Sequence, residues 1–303
     1  MIAPHRDIGF RRNAEASFRI GVVDVAVSGD LPDVLDDFAA LYEQAREPAG
    51  KPARAEIPLI QMEVRSRRSG WFGRRSHLVC GDGENLWTAR RACEVLPYLE
   101  WGINYRVIAR RPEFLQLHAA TLALGGAGFI FAADSGSGKS TLTAALLACG
   151  WKYLSDEFAL IEPRSRTLHP FPKALCIKAG SFDLMRRLKL PVWRNRHYVK
   201  ALKGPVGYIR PQDIRPDIVS APVPARYVVL PQYIEGARPA LRPVPRAQAA
   251  FLLARCAFNR SGFDRQAIPV INALVREAEC FRLEIGQLDE TCDLLESLAC
   301  ANS

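Results

Sequence analysis

Of the 303 residues, 41 are lysine or arginine and 32 aspartate or glutamate, a formal net charge of +9, and 49% are hydrophobic. That apolar content suffices for one large globular domain or two modest ones; no apolar run approaches the roughly 20 residues that span a bilayer, and Met1 to Arg12 lacks a secretion signal's apolar core. A membrane or secreted protein is set aside, and the expectation is a cytoplasmic protein that favours acidic partners.

In chain order, residues 18–29 alternate as a strand, and Asp30 is placed to cap a helix with Val34, Leu35, Phe38, Leu41 and Tyr42 on one face. Arg46 to Glu56 reads as a loop, Ile57 to Val64 as a strand, and Ala92 to Ala109 as a helix. Together these form an amino-terminal α+β lobe over residues 1–110. From Leu115 an apolar strand runs to Leu124, turns at 125–128 and returns over Phe129 to Ala132. A helix fits Ser140 to Cys149, stopped by Gly150 as a left-handed residue. Strands follow at Trp151–Ser155 and Phe158–Ile161. The proline-rich, basic stretch Pro163 to Pro224 reads as long loops. A strand at Arg226–Leu230, helices near Arg246–Phe258 and Arg265–Ala278, a strand at Phe281–Ile285 and a helix from Leu288 to Leu298 complete the chain.

The eight cysteines, without a CxxC pair and mostly in apolar stretches such as Leu146-Leu147-Ala148-Cys149, read as buried free thiols. Arginines gather in Arg65–Arg75 and Arg186–Lys203, open to two readings: solvated basic loops, or a surface for nucleic acid or an acidic peptide.

The stretch Ala133 to Ser140 follows the phosphate-loop pattern of glycine, four residues, then Gly-Lys-Ser, with Ala133 in the first position and Gly138, Lys139 and Ser140 in the others. A strand feeds it and a helix leaves it. Small residues at Gly136 and Gly138 let backbone N–H groups turn onto phosphate oxygens. The nucleotide site is therefore expected at Asp134, Ser135, Gly136, Ser137, Gly138, Lys139, Ser140 and Thr141. Lys139 supplies positive charge to the β- and γ-phosphates and Ser140 a hydroxyl to Mg²⁺.

Asp156-Glu157 ends the strand after the loop helix, where α/β sheets gather functional groups. One carboxylate suits Mg²⁺, directly or through water, and the other can accept the proton of an attacking hydroxyl. An ordinary strand end with solvated acids stays open. His118, in an apolar strand beside the loop, is either a core histidine with a partner or a site residue.

Together Leu117-His118-Ala119-Ala120, the loop Asp134 to Thr141 and Gly150 to Glu157 resemble the core of bacterial HPr kinase/phosphorylases. Glu100-Trp101-Gly102-Ile103-Asn104 and the tail from Arg226 to Leu298 are similar to HPr-kinase-related proteins called HprK-related kinase A. The resemblance implies an α/β fold: a P-loop phosphotransferase core of the HPr kinase / PEP-carboxykinase-like type over residues 111–303, following the α+β lobe. It implies Asp156 as catalytic aspartate, His118 as the active-site histidine beside Lys139, and Glu157 with Ser140 at the metal. It also implies ATP and Mg²⁺, and transfer to a serine of a protein or peptide, with a ribosomally made peptide as an alternative acceptor. Ala133 stands where that family has glycine, and its second glycine-rich signature is missing downstream; both speak against reverse phosphorolysis. A homo-oligomer is compatible with the resemblance. Two other classes compete: a non-catalytic nucleotide-binding regulator, and a nucleic-acid binder using the arginine-rich stretches with Trp71 and Phe72 as stacking rings.

Overall fold

The structure, a computed structural model, describes residues 13–46, 57–68, 75–134, 136–259 and 267–301, with the side chains of 13–15, 194–196 and 202 left out. Ser135, Trp71 and Phe72 with the rest of 69–74, Arg265, and residues 47–56 of the expected loop lie outside the described residues.

Strands β1 (Asn13–Ile20), β2 (Val23–Gly29), β3 (Leu59–Arg68), β4 (Arg75–Gly81) and β5 (Glu84–Ala89) form a five-stranded sheet in that order, with helices α1 (Pro32–Leu41) and α2 (Val95–Arg110). The single strand expected over 18–29 is a hairpin instead. Gly21 turns it at φ +56°, and a Cβ there would lie 2.1 Å from the Pro170 carbonyl oxygen, so both the turn and the close approach require glycine. Asp30 does not cap α1, whose N-terminus is set by Pro32; its carboxylate accepts from the Ser66 N–H at 2.7 Å. Strands β4 and β5 have no counterpart among the expected elements, because their alternation is interrupted by half-exposed residues.

The chain continues through β6 (Leu115–Leu117), β7 (Ala119–Leu124), β8 (Ala127–Ala132), α3 (Lys139–Ala148), β9 (Lys152–Ser155), β10 (Ala159–Ile161) and β11 (Thr167–His169). The region expected as loops then holds β12 (Leu175–Lys178), α4 (Phe182–Arg187), β13 (Trp193–Val199), β14 (Pro205–Ile209) and α5 (Pro211–Ile214). Its prolines mark element boundaries, as Pro205 and Pro211 do, and elements this short show no readable period. Strands β15 (Val223–Tyr233) and β16 (Ala240–Pro243), helices α6 (Arg246–Arg255) and α7 (Ala267–Glu277), strand β17 (Glu279–Ile285) and helix α8 (Leu288–Ala301) close the chain.

Strands β12, β13 and β14 make a three-stranded sheet, and nine others a mixed sheet in which β8, β15 and β17 are parallel neighbours. Alternation sorts its core: Phe129 and Phe131 pack with Leu146, Trp151 and Leu295 on one face, Ile130 with Leu253 and Leu274 on the other. The amino-terminal core, around Phe18, Phe38, Ile60 and Leu99, extends to Phe158, Phe171 and Tyr208.

Strand β7 pairs antiparallel with both β8 and β9, so β8 and β9 run in the same direction. Their carboxyl ends and the start of β7 therefore share one end of the sheet, which carries the glycine-rich loop, Asp156-Glu157 and His118. Cys149 and Cys300 are exposed rather than buried, since Cys149 is the C-cap of α3, beyond its buried face. Gly150, at φ +105°, ends α3 as expected. No helix among the described residues is long and apolar enough to cross a membrane.

Candidate functional site

Gly136 and Gly138 stand at φ +97° and +90°, backbone that a side chain would strain, and Gly138 is the N-cap of α3 without a side-chain cap. The first N–H groups of α3 are thus left to an outside acceptor, at the positive end of the helix dipole. Lys139 opens the helix, is buried, and donates from Nζ to the Ala133 carbonyl and, at 3.1 Å, to that of Asp134. Burial pushes its pKa down, against the pull of Asp156.

The adjacent acids sit in opposite surroundings. Asp156 is buried, its Oδ1 has no hydrogen-bond partner among the described residues, and its carboxyl is pushed up to about 7 by burial and then by Glu157, against Ser140, Lys139 and Thr143. Burial acts on Glu157 in the same sense, but Lys200, Lys173 and an Asn104 hydrogen bond outweigh it and hold that carboxyl at about 2. Its Oε1 lies 3.4 Å from Lys200 Nζ, and its Oε2 accepts from Asn104 Nδ2 and lies 3.8 Å from Lys173 Nζ. Two neighbouring carboxyls pushed apart in this way divide into a proton acceptor near neutrality and a permanent anion.

Lys173 also pairs with Glu100 Oε2 at 2.7 Å and donates to Asn104 Oδ1 at 2.7 Å, while Tyr42 donates to Glu100 Oε1 at 2.7 Å. Helix α2 therefore holds Glu157 from behind, through Asn104 and through Glu100 on Lys173. Asn104, Lys173 and Lys200 carry no role in the sequence reading, although Glu100 and Asn104, four apart, put two polar groups on one face of a largely apolar helix. Lys200 is hidden in a basic run.

His118, Gly136, Gly138, Lys139, Ser140, Thr141, Asp156 and Glu157 line one cavity of about 180 Å³, with Lys178, Lys200 and Lys203. Asp134 and Ser137 line a neighbouring cavity of about 300 Å³ with Arg255 and Arg282 instead. Burial, then Lys139, lowers the His118 pKa, favouring a neutral ring. The Thr141 hydroxyl lies 3.1 Å from that of Ser181.

Among the described residues no group of three or more His, Cys, Asp or Glu is arranged to hold a metal ion. Mg²⁺ asks for less, one or two carboxylates beside phosphate and water. The Ser140 hydroxyl and the ionised Glu157 are oxygen donors in one cavity, and they fit that ion. Chemically, the cavity can hold an anion on backbone N–H groups and cations and accept a proton at Asp156.

Residues 98–192 match the protein family described as SynChlorMet cassette protein ScmC. That family differs from the HPr-kinase-related group its motifs resemble, and the match spans about a third of the chain. Among solved structures, the chain is similar to the Hpr(Ser) kinase/phosphatase from Coxiella burnetii, at 12% identity and a TM-score of 0.31, over 61% of this chain and 98% of that one. A comparison with curated proteins gave no match.

Proposed function

We propose that the chain is an ATP- and Mg²⁺-dependent kinase that transfers the γ-phosphate to a serine hydroxyl of a protein or peptide. The observation that carries this reading is the shared cavity of Lys139 and Asp156: a loop lysine at a helix N-terminus beside a buried carboxyl poised near pH 7. Lys139 leaves the Ala133 and Asp134 carbonyls to meet phosphate oxygens. The unpartnered Oδ1 of Asp156 takes the proton of the serine hydroxyl. Ser140 and Glu157 would hold the metal, Glu157 giving up its contact with Lys200. Bound Mg²⁺ neutralises charge on the phosphates. His118, neutral, borders the same space.

The test is incubation of the purified chain with MgATP labelled in the γ-phosphate and a serine-containing peptide library. Labelled phosphoserine that vanishes in Lys139→Ala is the expected result; a chain that binds no MgATP contradicts the proposal.

A further inference from the structure

Helix α2 carries two apolar faces. Val95, Leu99, Ile103 and Val107 cover the amino-terminal sheet. Tyr98, Trp101 and Tyr105, spaced three and four apart, form a second stripe and gather with Trp87 of β5 into an aromatic cluster whose ring centroids lie 5.6–6.4 Å apart. Tyr105 is 52% exposed and the other three are half-buried, so the cluster is a surface rather than core. Clustered Trp and Tyr are the side chains that anchor partners, because they bury large rigid area at little entropic cost.

Lys200, which lines the candidate cavity, joins this surface to it. Lys200 Nζ lies 5.2 Å from the Trp101 ring centroid and 3.4 Å from Glu157 Oε1. The Trp101 ring is thus within about 9 Å of that carboxylate. An extended chain, advancing ~3.4 Å per residue, covers such a gap in two or three residues. The cluster lies beside the acid pair across Lys200, and Trp101 sits one helical turn before Asn104, which holds Glu157.

We infer that Trp101 and its aromatic neighbours seat an apolar or aromatic side chain of the acceptor, two or three residues from the phosphorylated serine. This rests on the kinase reading above. The acceptor is then an extended peptide segment chosen by that side chain, while Lys200 fixes the Trp101 face against the cavity.

The experiment phosphorylates, with the full chain and MgATP, a positional library of peptides that share a central serine and vary one flanking position at a time. Aromatic or leucine residues two or three positions from the serine, on one side, should raise kcat/KM by about tenfold or more over alanine, the usual discrimination of an apolar seat. Trp101→Ala should erase that preference through KM and spare the affinities for MgATP and for inorganic tripolyphosphate. Trp101→Phe should keep the preference, and it serves as the readout if the alanine variant fails to fold. A preference that survives Trp101→Ala, or its absence in the wild type, overturns the inference with the kinase reading intact. Bound MgATP with no peptide phosphorylated overturns the inference as well, together with the phosphoserine expected of the kinase reading. Trp101→Ala that weakens MgATP but not tripolyphosphate would make Trp101 a platform for the nucleobase, also against the inference. Failure of the wild type to bind MgATP marks failure of the kinase reading itself.

Discussion

The Lys173 ammonium lies 2.7 Å from Glu100 Oε2 inside the protein, both side chains less than a tenth exposed, and this pair fastens α2 to the segment that precedes β12. Removing the lysine leaves Glu100 buried without its cation and Glu157 with one fewer. Lys173→Met is expected to cost about 3 kcal/mol or more of stability, the range for breaking a buried pair from one side. Urea unfolding of variant and wild type measures this, and a loss within 0.5 kcal/mol or so would fit only an exposed pair.

Lys139 is the one side-chain cation of the glycine-rich loop, and its present partners are two carbonyls of that loop. Lys139→Ala is expected to weaken MgATP binding about 10- to 100-fold, the equivalent of one charge-assisted hydrogen bond. Calorimetry reads the affinity and circular dichroism the fold. Unchanged affinity would mean the loop does not hold phosphates.

The loop and α3 are legible in the sequence because their determinants are local: Gly136 and Gly138 for the backbone, Lys139 at the helix start, Gly150 at its end. Asp156-Glu157 is legible as a strand end following that helix. What sets the two acids apart is not, since Lys173 bonds α2 residues 69 and 73 positions away, and no spacing rule reports contacts that distant. The hairpin at Gly21 escapes notice for a similar reason, its glycine being demanded partly by Pro170. Short elements between prolines, such as β12 to β14, fall below the length at which a period can be seen.

Asp156 should also govern pH dependence. Its carboxyl is raised by burial and by Glu157 from 3.8 to about 7, so between those values the folded chain keeps a proton that the unfolded chain has lost. The stability it contributes is complete below the lower value and is lost as pH rises through about 7. Glu157 works in reverse: burial, overcome by Lys200 and Lys173, leaves it at about 2 rather than 4.5, and its contribution is lost as pH falls through about 2. Urea unfolding at about pH 5 and about pH 8 should therefore show wild type losing stability relative to Asp156→Asn as pH rises. Parallel curves would contradict the raised pKa. Turnover should climb over the same interval, as Asp156 loses its proton.

The most direct test of Asp156 as proton acceptor is the Asp156→Asn variant, which keeps the shape and removes the base. MgATP affinity by calorimetry and turnover are measured on the same preparation, with phosphorylation of a serine peptide or, failing that, slow ATP hydrolysis as readout. Affinity near that of the wild type is expected, with a kcat lower by ~10²–10⁴, the span of a positioned general base. Lost affinity would make Asp156 a metal ligand instead, and full turnover by the asparagine variant would contradict the mechanism.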